Sequence, residues 1–159
     1  CPAHYYTNFT YWTQHCWGVT CVNDMEAMLS YLPITIGDKE QALADLVRCY
    51  EKMMMRSHTN GGYVNLLDEC WKMCEKFHTN IVIMYDHVSC KNVGGLHGLF
   101  EDQARERGIH LIWIPHDVMD PRTVSRREMR EAFSQYMVTV LNEKPLDPTL
   151  LEYEDALSW

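Results

Sequence analysis

Hydrophobic positions along the chain alternate between short unbroken runs and stretches in which they recur every three or four residues. Three runs read as strands: Gly18 to Val22 (GVTCV), Asn80 to Tyr85 (NIVIMY) and Ile109 to Pro115 (IHLIWIP). The last two are apolar at nearly every position, which predicts strands buried on both faces of a parallel sheet. Helical spacing fills the intervals. From Asp38 to Met55 the apolar positions are Leu43, Leu46, Val47, Tyr50, Met53 and Met54, and Asp38 followed by Gln41 resembles a helix start. Thr59-Asn60-Gly61-Gly62 ends that helix. A second helix is expected from about Val64 to His78, with Leu66, Leu67, Cys70, Trp71, Cys74 and Phe77 on one stripe. A third covers about Gly95 to Arg107 and closes at Gly108. The last has the clearest signal: Ser125 and Glu128 form a capping-box pattern ahead of Met129, Ala132, Phe133, Tyr136, Met137, Val140 and Leu141.

With a helical N-terminal segment in front, this order predicts an α/β fold. It is an open, doubly wound, mainly parallel sheet with helices on both faces. Residues 1–142 form that α/β domain, and 143–159 form an acidic tail broken by Pro145 and Pro148.

Composition narrows the partners. A hydrophobic fraction of 47% and a charged fraction of 23% are those of a globular domain. The net charge of −8 argues against nucleic acid, which needs a concentrated basic patch. No apolar stretch nears the roughly 20 residues that cross a bilayer, so no membrane is expected. No secretory signal pattern is visible, which points to the cytoplasm. The chain begins at Cys1 without an initiator Met, as a domain of a longer subunit would. Seven cysteines leave at least one thiol outside any monomeric disulfide scheme.

Candidate chemistry gathers where open α/β sheets place it, beyond the carboxyl ends of the strands. Asn23-Asp24, Asp86 through Lys91, and His116-Asp117 through Asp120-Pro121-Arg122 occupy those ends. Asp86, Asp117 and Asp120 also suit helix caps, and Asp120 with Arg122 suits an ion pair fixing the loop into the last helix. Cys90 stands apart from the other cysteines. It lies in a turn just before Gly94-Gly95, where amides and a helix dipole would lower a thiol pKa, with His87 and Lys91 nearby. Cys70 and Cys74 share an apolar stripe and read as core, Cys21 and Cys49 read as packing, and Cys1 and Cys16 are undetermined. No Cys-x-x-Cys pair occurs, so a locally spaced iron–sulfur or zinc site is absent. Dinucleotide, Walker A, nucleophile-elbow and zincin motifs are absent too.

The segment DHVSCKNVGGLHGLFEDQARERGIHLIWIPHDVMDPRTVSRREMREAF, from Asp86 to Phe133, resembles the C-terminal end of 2-hydroxyacyl-CoA dehydratase and benzoyl-CoA reductase subunits. The residues that carry the likeness are Ser89-Cys90-Lys91, Gly108-Ile109, Asp117, Asp120, Arg122 and Ser125. The likeness extends more loosely from about Asn8 to Asn142. It implies a [4Fe-4S] cluster held by three cysteines, of which Cys90 is one, flanked by Ser89 and Lys91. The other two family cysteines belong to an N-terminal domain not represented in this chain, so the isolated chain is expected to be inactive. The resemblance further implies a second homologous subunit, an ATP-dependent activator iron–sulfur protein and an acyl-CoA substrate. The implied activity is reductive: an electron passed to the thioester gives a ketyl radical that permits loss of water. Two other readings stay open, a benzoyl-CoA reductase subunit domain and a non-catalytic subunit-interaction domain.

Overall fold

A computed structural model describes residues 8–25, 32–53, 56, 61–117, 120 and 122–152. The chain divides into two compact units, one of residues 1–22 with 79–159 and the other Asn23–His78.

The first unit contains helix α1 (Phe9–Trp17) and two strands, β1 (Ile81–His87) and β2 (His110–His116). The strands pair in parallel, Ile81 opposite His110 through His87 opposite His116. Parallel neighbours need a crossover, which two helices in the first unit supply. After α2 (Lys39–Glu51) and α3 (Tyr63–Phe77) of the second unit, these are α4 (Lys91–Gly94) and α5 (His97–Arg107). Helix α6 (Arg126–Thr139) and a 3-10 turn (Pro148–Glu152) follow β2.

Alternation along the strands divides the sheet into two faces. Ile112 and Ile114 of β2 point into a core with Phe9, Trp12, Cys16 and Trp17 of α1 and Met129, Phe133 and Met137 of α6. Ile81, Ile83 and Tyr85 of β1 pack against the same cluster. Phe133 is its centre: the rings of Phe9, Trp12 and Trp17 meet it edge-on at 5.8, 5.7 and 6.4 Å. The opposite face presents Trp113, whose ring meets Phe100 of α5 edge-on at 6.1 Å. Helices therefore lie against both faces of the two strands.

The expected strand over Gly18–Val22 does not form. Gly18 takes a left-handed conformation (φ 71°) at the end of α1 and donates to Gln14 O, while Val19 N–H donates to Thr13 O. That cap turns the chain, and only Val19 of the run packs on the core, leaving Cys21 exposed. The two strands are also not buried on both faces throughout, since β1 is half-buried along most of its length. Among the described residues the sheet has two strands, so each has one edge without a strand partner.

The tail through Glu152 lies across α1. Leu146 N–H donates to Cys16 O at 2.7 Å, and Trp12 Nε1 donates to Leu150 O at 3.0 Å. Burial pushes the Cys16 thiol pKa up, with Asp147 adding in the same direction and Arg130 opposing. Arg130 is itself buried, its guanidinium 5.4 Å from the centre of the Trp12 ring.

The second unit holds helices α2 (Lys39–Glu51) and α3 (Tyr63–Phe77). α3 buries Leu66, Leu67, Cys70, Trp71 and Cys74, the stripe its periodicity predicts. In α2 the expectation is inverted. Leu43, Leu46, Val47 and Tyr50 are exposed, and Asp45 is the buried residue. Asp45 holds this geometry because it accepts from Thr35 N–H and Thr35 Oγ1, both at 2.8 Å, from Gln41 Nε2 at 2.9 Å and from Arg48 at 2.7 Å. Donors of that number favour the ionised carboxylate. Met54, Met55, Thr59 and Asn60 lie outside the described residues.

Candidate functional site

The ends of β1 and β2 bring the sequence candidates together. β1 finishes at His87, and its last bond to the neighbouring strand is Val88 N–H donating to His116 O at 3.0 Å. The chain then turns sharply: Cys90 N–H donates to His87 O at 2.8 Å and Lys91 N–H to Ser89 O at 3.2 Å. Cys90 is the N-cap of α4, and its carbonyl accepts Gly94 N–H at 3.1 Å. A Cβ at Gly95 would stand 3.2 Å from Lys91 O, a tight approach. The helix behind Cys90 is only four residues, so its summed peptide dipole is far smaller than a long helix would give. Ser89 and Lys91 are exposed, and Cys90 is half-buried with a free thiol.

Side chains from the two strands alternate above and below this turn. On the core side His87 and His116 are buried, their rings edge-on at 5.9 Å, and Tyr85 lies 5.4 Å from His116. His87 Nδ1 accepts the backbone N–H of Ser89 at 3.1 Å, and Ser89 Oγ is 2.9 Å from the same nitrogen. An accepting Nδ1 puts the proton of the neutral ring on Nε2, which faces Asp117 Oδ1 at 3.7 Å. Asp117 is buried and accepts Asp120 N–H at 3.2 Å, closing the loop after β2.

On the opposite side, Asp86 faces His97 at the start of α5, with Oδ2 3.4 Å from Nε2. The His97 ring stacks on Trp113 at 3.6 Å and 17°. Asp120 and Arg122 form the expected ion pair, Nε and Nη2 of the guanidinium donating to the carboxylate at 2.9 and 2.8 Å. The Arg122 guanidinium beside it holds the Asp120 carboxyl below its usual range, and Arg122 is raised in turn. Arg122 is exposed and Asp120 half-buried, and the pair sits in the loop leading to α6, a structural position.

Of the sequence candidates, Ser89, Cys90, Lys91, His87, His116 and Asp117 share the strand-end region. Asn23 and Asp24 do not follow a strand. Sequence reasoning missed the His87–Ser89–Asp117 arrangement and the His97–Trp113 stack. Strand parity was the available signal: His87 and His116 are opposite in register, so their rings share a face. Among the described residues no group of three or more His, Cys, Asp or Glu side chains could hold a metal ion, so Cys90 stands as a single thiol donor.

The first unit is thus a parallel α/β unit with a thiol in the turn beyond its first strand. Residues 1–137 match the family described as 2-hydroxyglutaryl-CoA dehydratase, D-component, and the chain belongs to that family. It is thus a component of the 2-hydroxyacyl-CoA dehydratase type, as the Asp86 to Phe133 pattern predicts. No curated protein and no solved structure matches it. Among the described residues no helix is long and apolar enough to cross a membrane.

Proposed function

We propose that this component supplies Cys90 as one thiolate ligand of a [4Fe-4S] cluster in a dehydratase acting on a 2-hydroxyacyl-CoA, with Ser89 and Lys91 beside the cluster. The observation that carries the reading is the placement of Cys90 within the family match. Its thiol is free and half-buried, in a turn whose backbone bonds are already made. Thiolates are the donors that iron–sulfur clusters take. The donor therefore suits the group in kind, and in number it accounts for one ligand, the rest coming from outside the described residues. When bound, such a cluster supplies a low-potential electron that reduces the thioester carbonyl, allowing water to leave before the electron is returned.

The chain's own residues have simpler tasks. The backbone bonds of His87, Ser89 and Gly94 fix the path of the turn and leave the Cys90 thiol uncommitted. Lys91, exposed at the next position, offers a cation to an anionic cluster or to the phosphates of a CoA thioester. The remaining ligands come from outside the described residues, a second homologous subunit pairs with this one, and an ATP-dependent activator iron–sulfur protein delivers the electron.

The test is anaerobic reconstitution of the assembled dehydratase with Cys90→Ser, and with Cys21→Ser at an exposed position as control. Iron content and dehydratase activity should fall in the first and persist in the second. Undiminished iron in Cys90→Ser overturns the reading.

A further inference from the structure

The geometry points to His87 as a positioning residue for Cys90, a role that rests on Cys90 being a cluster ligand. Beyond the end of β1 the sheet ladder stops, and the amides of Ser89 and Cys90 need other partners. One residue supplies both. The His87 ring accepts Ser89 N–H through Nδ1 at 3.1 Å, and the His87 carbonyl accepts Cys90 N–H at 2.8 Å.

The two ends of this arrangement differ in rigidity. Ser89 is exposed. The His87 ring is 7% exposed, set edge-on to the fully buried His116 and facing Asp117 on its other nitrogen. The buried ring thus ties an exposed turn to the core of the sheet. A metal-binding side chain must be held to about 0.5 Å, which groups one step behind the ligand accomplish. Asp117 contributes by favouring the tautomer in which Nδ1 accepts.

Two substitutions separate the two sides of the ring. His87→Asn keeps an acceptor near the place of Nδ1 but falls short of Asp117. His87→Gln keeps a donor toward Asp117 and loses the acceptor for Ser89. The measurement is alkylation of Cys90 by iodoacetamide in the full chain, followed by peptide mass spectrometry, with buried Cys16 as internal control. The Gln variant should react about five-fold faster at Cys90, the factor that roughly one lost hydrogen bond gives. The Asn variant should stay within about two-fold of wild type.

Equal rates in the two variants, or a faster Asn variant, overturn the role of His87. Amide hydrogen exchange in the wild-type chain tests it without mutation: Ser89 N–H should be protected, and exchange at the unprotected rate overturns it. These outcomes are separable from the ligand reading, which stands or falls on iron content in Cys90→Ser.

Discussion

At the scale of single residues, environment decides chemistry more than residue type does. The seven cysteines are alike in sequence, yet Cys16, Cys70 and Cys74 are buried, Cys21 is exposed, and Cys90 sits half-buried in a turn. Asp45 shows the same dependence. Donation from Thr35 N–H, then from Thr35 Oγ1 and Gln41, lowers its pKa to about 2. An unfolded Asp titrates near ~3.9, so the folded state binds the proton more weakly. The contribution of Asp45 to stability is fully present above the unfolded value and disappears as pH falls through about 2. Urea unfolding of wild type and Asp45→Asn should show a gap at pH 6 that closes as pH approaches 2. A gap independent of pH would contradict this assignment.

At the scale of elements, the ends are set locally and the buried faces are not. Ser125 Oγ accepts Glu128 N–H at 3.1 Å and the Glu128 carboxylate accepts Ser125 N–H, completing the capping box. Those bonds from Ser125 hold the Glu128 carboxyl below its usual range. Ser125→Ala should destabilise the chain by about 1 kcal/mol in urea unfolding, the usual worth of an N-cap. Asp38 caps α2 in the same manner, accepting Glu40 and Gln41 N–H at 3.0 and 3.1 Å. Yet α2 turns its apolar stripe outward and buries Asp45, whose carboxylate is met by four donors. The 3.6-residue period located the helix and misassigned its inner face.

At the scale of the whole molecule, segments distant in sequence complete the core. α1 and the residues after α6 meet through Leu146 N–H, Trp12 Nε1 and the partly buried Leu150, over a separation of more than a hundred residues. A chain ending at Asn142 should therefore melt at a Tm lower by roughly 5 °C, with Trp fluorescence shifted to longer wavelength as water reaches the uncovered Trp12. An unchanged melting curve would show that these contacts add nothing. An acidic tail broken by Pro145 and Pro148 is expected either to be mobile or to lie across a neighbour, and Leu150 with the backbone bonds holds the described part of it against α1.

Much of the fold was legible because its signals are local. Unbroken apolar runs at Asn80–Tyr85 and Ile109–Pro115, Gly108 after α5, and Ser125 with Glu128 each depend on neighbours within a few residues. The Ser89-Cys90-Lys91 turn was legible for the same reason, as a polar break directly after a strand. The Gly18–Val22 run misled because an apolar run alone does not specify a strand; it needs a partner, and the Gly18 cap directs the chain elsewhere. The sequence by itself determined the two strands, the long helices, the caps at Asp38 and Ser125, and the family. Only the tertiary structure decided which face of α2 is buried, that His87 meets Ser89 and Asp117, and that His97 stacks on Trp113. Those outcomes turn on hydrogen bonds and ring contacts between residues brought together by strand register, and register is a property of the folded chain.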